Sequence, residues 1–306
     1  MPLIAVCAFF NPFNSARRER AFALFRAGLE GSGARVLCVE QLFPGVPRVS
    51  RSTDIALSGG ALLWQKECLL QIGIDRAIES GYDRIMICDA DIVFETPDAL
   101  DLIDESFSKY DYVQPFESIT MEYSDDEVVR PSAMSMDFPR PFGKGHPGSC
   151  WAATSRFLER IRLYPFAILG GGDVVMTHLC SAAVEHGPAS RRFLDLCIYF
   201  ANHVLYPNLV QTLMTWAGQF HATSFRIGHT AGVRLRSLDH GAYALRNYHE
   251  RYESWRGEGS LTAPHPAMDF NVGATGLLEW ISEPRFDWVS LIHAYFGTRD
   301  GEVVQP

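Results

Sequence analysis

The chain has 306 residues, 47% of them hydrophobic and 21% charged, with a formal net charge of -9 at pH 7. That composition supports a sizeable buried core and excludes a disordered chain, and no apolar run approaches the roughly 20 residues of a membrane span. The negative balance argues against a polyanion as partner for the surface as a whole.

The first residues, "MPLIAVCAFFNPF", lack the basic start of a signal peptide and read as a first strand over 3–10. An amphipathic helix follows from Ser15, with Gly31 and Gly33 at its exit. Residues 35–40 are the second strand, 61–81 the second helix, and 84–88, "RIMIC", the third strand. A third helix starts at Thr96 with Pro97 in its first position, and 111–116 is the fourth strand. Strand–helix alternation of this kind makes a mostly parallel α/β sheet with helices on both faces. Such sheets bind ligands beyond the carboxyl ends of their strands, where Asn11, Glu40 and Asp89 sit.

From 117 to 148 the chain is rich in Pro, Gly, Ser and Asp and reads as a long surface excursion. Residues 149–154 resume as a strand, a short helix follows, and 190–220 is helical with a break near Pro207. Residues 224–241 read as a β-hairpin ending at His240. The seven cysteines are scattered and never spaced as Cys-x-x-Cys, the pattern of reduced, buried thiols in a cytoplasmic protein. Two stretches are basic: 130–162, net +4, and 226–256, net +3. They read either as solvated faces or as a local site for phosphates.

The residues that most clearly carry chemistry are Asp89 and Asp91, at the end of the "RIMIC" strand. Side chains two apart in an extended chain point to the same side, so two carboxylates share one small volume and raise each other's pKa. A divalent cation removes that conflict, and all-oxygen ligands suit Mg²⁺ or Mn²⁺. The structural alternative is an Asp turn that caps the next segment. Two enzyme classes place Asp-x-Asp after a strand. In a haloacid-dehalogenase-like phosphatase Asp89 is the nucleophile and Asp91 the acid/base, but there the motif ends the first strand. In GT-A glycosyltransferases it ends a later strand, as in this chain.

The sequence resembles a family of bacterial and phage GT-A-like glycosyltransferases. The resemblance rests on "FFNP" (9–12), "VE" (39–40), "GGALLWQKE" (59–67), "ICDADIVF" (87–94), "VQPF" (113–116), "HPGSCWAA" (146–153), "ILGGGD" (168–173), "LDHGAYALRNYHERYE" (238–253) and "HPAMDF…GLLEW" (265–280). One departure is "LDHG", where an aromatic residue often precedes the His. The resemblance implies a GT-A-like catalytic domain over 1–255, with a nucleotide-binding half (1–117) and an acceptor half (118–255), and a C-terminal extension over 256–306. It implies transfer of a sugar from a nucleotide-sugar, with UDP-sugar the expected donor, to a hydroxyl of a saccharide or small molecule, with inversion. Phage relatives suggest the alternative acceptor, a 5-hydroxymethylpyrimidine base in DNA; a silent sugar-nucleotide-binding module is a further alternative.

On this resemblance Asp91 is the direct metal ligand, Asp89 binds the metal through water or holds the donor's ribose, and His240 completes the metal shell, with a structural His-Gly turn as the other reading of His240. Asp173 is either general base for the acceptor hydroxyl or the N-cap of its helix. Asn11, Pro12, Glu40, Gln65, Lys66, Asp89, His146, Gly171, Gly172 and Arg251 are expected to line the donor site, Lys66 as a point charge for phosphate. Trp151 reads as a sugar platform or as core.

Overall fold

The computed structural model describes residues 3–123, 126–136, 145–220, 224–238, 241–242, 245, 250–256 and 261–299. In chain order its elements begin β1 (Ile4–Phe10), α1 (Ala16–Gly31), β2 (Arg35–Leu42), β3 (Ile55–Ser58), α2 (Lys66–Glu79) and β4 (Arg84–Cys88). Next come β5 (Ile92–Phe94), α3 (Ala99–Ser106), β6 (Tyr112–Gln114), β7 (Ser118–Glu122), β8 (Glu127–Pro131), β9 (Cys150–Thr154) and α4 (Ser155–Arg160). A helix follows in three parts: α5 (Gly172–Val174), a π-turn over Val175–Leu179, and α6 (Cys180–His186). The chain ends with α7 (Arg191–His203), α8 (Val210–Ala217), β10 (Ile227–His229), β11 (Arg234–Ser237), α9 (Pro266–Asp269), β12 (Phe270–Val272), β13 (Leu278–Trp280) and α10 (Phe286–Arg299).

The protein is a mixed α/β fold. Its main sheet has seven strands in the order β10-β6-β9-β4-β1-β2-β3, and only β9 runs against its neighbours. Successive strand residues feed opposite cores, as the period of two requires. In β4, Ile85 and Ile87 join the cluster that holds Leu69, Leu70 and Ile74 of α2. Met86 and Cys88 join the one that holds Phe22, Phe25 and Leu29 of α1. Burial on both faces is why these strands read as unbroken apolar runs. The chain leaves β1 toward β2 on one side and returns to β4 on the other. A crevice therefore opens between the carboxyl ends of β1 and β4, at the point where strand order reverses. Because β9 is antiparallel, its start lies at the same edge, with Cys150 in register with Cys88.

Three expectations are corrected. Residues 118–131 are not a bare excursion but the hairpin β7–β8. Residues 224–241 are not a hairpin: β10 lies parallel to β6 in the main sheet, whereas β11 joins a second sheet of order β5-β11-β7-β8. The second helix begins at Lys66, not 61, because the preceding segment is tied to the C-terminal extension. There, Gln65 is fully buried and its amide donates to the carbonyls of Ala61 and Leu278 and accepts from the Leu278 N–H at 2.7 Å. All seven cysteines are buried and free. Among the described residues no helix is long and apolar enough to cross a membrane.

Gln65→Leu is expected to lower stability by about 1–3 kcal/mol, because the Leu278 N–H is left buried and unpaired. Urea denaturation checks this, and a change below a few tenths of a kcal/mol would show that the amide does not fasten the extension.

Candidate active site

The β4 ladder continues one step past the strand, as the Asp89 N–H donates to the Ser149 carbonyl at 2.8 Å, and then stops. The turn that follows is held from the other side by the Leu238 N–H, which donates to the Asp91 carbonyl at 2.7 Å. The Asp-x-Asp turn is thus clamped by its backbone, with the Asp89 carboxylate, 25% exposed, at the edge of the crevice. Residue 240 lies outside the described residues, so the predicted role of His240 has no structural counterpart to report.

Lys66, the first residue of α2, reaches across that edge. Its ammonium donates to Asp89 Oδ1 at 2.9 Å and to Asp173 Oδ1 at 2.6 Å, and it stands 5.4 Å from the centre of the Trp151 ring. The three side chains retain 12%, 25% and 29% exposure, so the cluster is reachable from the crevice. Burial works against charge on Lys66, but Asp173, Asp89 and Glu67 hold its pKa well above the ordinary value. For Asp173, burial pushes upward while the ammonium, His146 and Arg251 pull down more strongly, so it is ionised. Asp89 moves the other way, to about 6, because burial and the Asp173 and Asp91 charges outweigh the same ammonium. The other neighbours account for the asymmetry: Asp173 has Arg251 beside it, whereas Asp89 has Asp91.

Asp173 is delivered by the "ILGGGD" loop. Gly171 is the N-cap residue of the helix and Asp173 lies inside its first turn with its carboxylate on Lys66, so the N-cap reading of Asp173 is corrected. The loop is shaped from behind by Tyr252, whose hydroxyl accepts from the Leu169 N–H at 2.8 Å and donates to the Gly170 carbonyl at 2.9 Å. Gly170 and Gly171 have φ of +94° and +104°, and a Cβ on Gly170 would stand 2.7 Å from Arg251 Nη1. Gly172 is needed for another reason: the Glu67 carboxyl lies directly against it.

On the far side, Gln114 donates to the His146 carbonyl at 2.8 Å, and His146 Nε2 meets Ser149 Oγ at 2.9 Å. Burial pushes the His146 pKa down to about 4, so its ring is neutral at pH 7. The loop then passes over Asp173: a Cβ on Gly148 would lie 2.7 Å from Asp173 Oδ2. Trp151 is only 3% exposed and its Nε1 donates to Thr177 Oγ1, so it is core, with its face given to Lys66 rather than to a sugar.

The structure therefore brings Lys66, Asp89, His146, Gly171, Gly172, Asp173 and Arg251 together around the Asp-x-Asp turn. Three other expected donor contacts are engaged in building the rim. Both ends of the Asn11 amide bond the Ser15 backbone. The Glu40 carboxylate accepts from the N–H groups of Val49 and Ser50, and Gln65 holds Leu278. Pro12 lies half-buried in the turn after β1. Glu67 joins the cluster without having been assigned to the donor site; its signal is a charged residue at a core-facing position of α2, three before the buried Leu70. Among the described residues of the basic stretches, Arg162 pairs with Asp75, Arg226 with Asp111, Arg236 with Glu95, Glu122 and Glu127, and Arg256 with Glu253.

No family model matches the chain, and no curated protein matches it. Among solved structures it is similar to S. aureus TarS 1-349, at 10% identity and TM-score 0.40 over 72% of each chain. The same TarS fragment in complex with UDP-GlcNAc gives 11% and 0.39, again over 72% of each. A Drosophila β-1,4-galactosyltransferase 7 variant in complex with manganese, UDP-Gal and xylobiose gives 10% and 0.38, over 95% of this chain and 99% of that one. At TM-scores this low the likenesses decide neither donor nor acceptor.

Glu67 generates a prediction. It is 3% exposed, with Oε2 buried and unbonded among the described residues. Burial, reinforced by Asp173 and opposed by Lys66, pushes its pKa from 4.5 to about 8. Between those values the folded chain holds a proton that the unfolded chain has released, so stability falls as pH rises through this window. Glu67→Gln is expected to flatten that decline, measured as urea midpoints from pH 5 to 8.5; an unchanged slope would mean that Glu67 is ionised in the fold.

Proposed function

We propose that the protein is a metal-dependent glycosyltransferase that moves a sugar from a nucleotide-sugar, with a UDP-sugar the expected donor, to a hydroxyl of a saccharide acceptor with inversion. The observation that carries this reading is the Lys66 bridge between Asp89 at the end of β4 and Asp173 at the start of the next helix. It joins a place for a diphosphate to a carboxylate suited to take a proton.

A divalent cation fits the Asp-x-Asp turn. The two aspartates are hard oxygen donors, and the Asp89 carboxylate keeps 25% exposure at the crevice edge. Among the described residues no cluster of three or more His, Cys, Asp or Glu has ligand geometry. That is compatible with Mg²⁺ or Mn²⁺ sites that use one or two carboxylates and complete the shell with substrate phosphates and water. When bound, the cation supplies Lewis-acid neutralisation of the departing diphosphate.

The chain's own residues do the rest. Asp91 and Asp89 hold the cation, and Lys66 offers a second positive charge to the phosphates. Asp173 accepts the proton of the acceptor hydroxyl as that oxygen bonds to the sugar C1 and the C1–diphosphate bond breaks. Arg251 and Lys66 keep Asp173 ionised until then, and neutral His146 with Ser149 shapes the wall beside it.

The direct test is calorimetric titration with UDP- and GDP-sugars in Mn²⁺, Mg²⁺ or EDTA. Metal-dependent binding of one donor is expected. If no nucleotide binds and phosphomonoesters are hydrolysed instead, the phosphatase reading replaces this one. Asp173→Asn is expected to keep donor affinity and lose about 10²–10⁴-fold in kcat. Retained kcat would remove Asp173 from the role of base.

A further inference from the structure

We propose that Lys66 is a resident counter-ion of this site, standing in the absence of ligand where positive charge is needed and making cation binding conditional on the diphosphate. The inference rests on the donor reading above and goes on to say how the two ligands are coupled.

Three observations carry it. The ammonium is held by two carboxylates on different elements, Asp89 after β4 and Asp173 in the first turn of α5, at 2.9 and 2.6 Å. It is backed by the Trp151 ring at 5.4 Å, a favourable face for a cation. It is also the first residue of a helix whose preceding residue is locked to Leu278, so the stem has a fixed origin and the head a fixed seat. A divalent cation arriving alone at Asp89 must break one of these ion pairs and then sit beside a positive charge that has nowhere better to go. A nucleoside diphosphate changes this, because its oxygens offer the ammonium a stronger anion than Asp89. Once Lys66 turns to the phosphates, Asp89 is released to the cation. The cation and the diphosphate therefore raise each other's affinity through Lys66, in addition to any direct contact between them, and the coupling is reciprocal.

The experiment is calorimetry with Mn²⁺ alone, UDP alone and UDP in the presence of Mn²⁺, on the whole chain and on Lys66→Met and Lys66→Arg. In Lys66→Met, Mn²⁺ alone is expected to bind about tenfold more tightly than in the native chain and UDP without metal more weakly. The factor by which UDP improves Mn²⁺ affinity is expected to shrink by about tenfold, within the usual range for coupled sites. Lys66→Arg, which keeps the charge, is expected to retain the native pattern. Trp151 gives a second readout that needs no Lys66 variant: its emission, isolated by difference against Trp151→Phe, is expected to change when Mn²⁺ and UDP bind together and not with Mn²⁺ alone. If the native chain binds both ligands but Lys66→Met leaves Mn²⁺ affinity unchanged, or Trp151 emission ignores the joint binding, the counter-ion role is overturned and the donor reading stands. If the native chain binds neither ligand, the donor reading itself fails and takes this inference with it.

Discussion

Four carboxylates, those of Asp89, Asp91, Asp173 and Glu67, converge on one half-buried volume, and Lys66 is the charge that makes their convergence tolerable. Two isolated charges 4 Å apart interact by about 1 kcal/mol in water but by several times that in a protein interior. Such a cluster without compensation would either take up protons or push its elements apart. The structure does a little of the first: Glu67 is driven toward its protonated form, and Asp89 is raised to about 6. The remaining negative charge is concentrated on Asp173, beside the ammonium, and at the Asp-x-Asp turn.

Much of the architecture serves to hold that one amine. The α2 helix begins at Lys66 because Gln65 is committed to Leu278, 213 residues away, so the C-terminal extension helps to set where the amine starts. The main-sheet strand β9 contributes Trp151 beneath it, and Trp151 is pinned by Thr177, which in turn donates to the Pro147 carbonyl at 2.6 Å. The antiparallel direction of β9 matters here. It places residues 146–149 at the same edge as the end of β4, so that this loop closes over Asp173 while its strand pairs with β4.

The sequence made the parts built on local pattern legible. β1, β4 and β9 are apolar runs because both faces are covered, and the Asp-x-Asp turn stands where such a strand must end. The hairpin β7–β8 was hidden because it packs on one face only: Ile119 and Met121 are buried while Ser118, Thr120 and Glu122 are not, which in a stretch rich in Ser and Asp reads as loop. β10 and β11 are separated by a turn that suits a hairpin, and nothing local reveals that each strand finds a better partner in a different sheet. Asn11, Glu40 and Gln65 expose a deeper limit. A polar side chain at a strand end serves a ligand or a loop backbone equally well by composition, and only the position of Ser15, Val49 or Leu278 in space decides which.

The glycine run at 170–172 shows how a site can be encoded in what is missing. Each glycine leaves room for a different group: Arg251 presses on Gly170, Leu205 on Gly171 and Glu67 on Gly172. The following carboxylate is then carried into the cluster by a helix whose first turn cannot shift without colliding with one of them. Asp173 is thus placed by the side chains packed against the glycines before it and by the Lys66 ammonium. The first contacts are steric, whereas the ammonium has competing partners. Of the contacts that orient Asp173, the ion pair with Lys66 is the one for which an anion competes, and on the proposed reading it is there that a bound donor would act on Asp173.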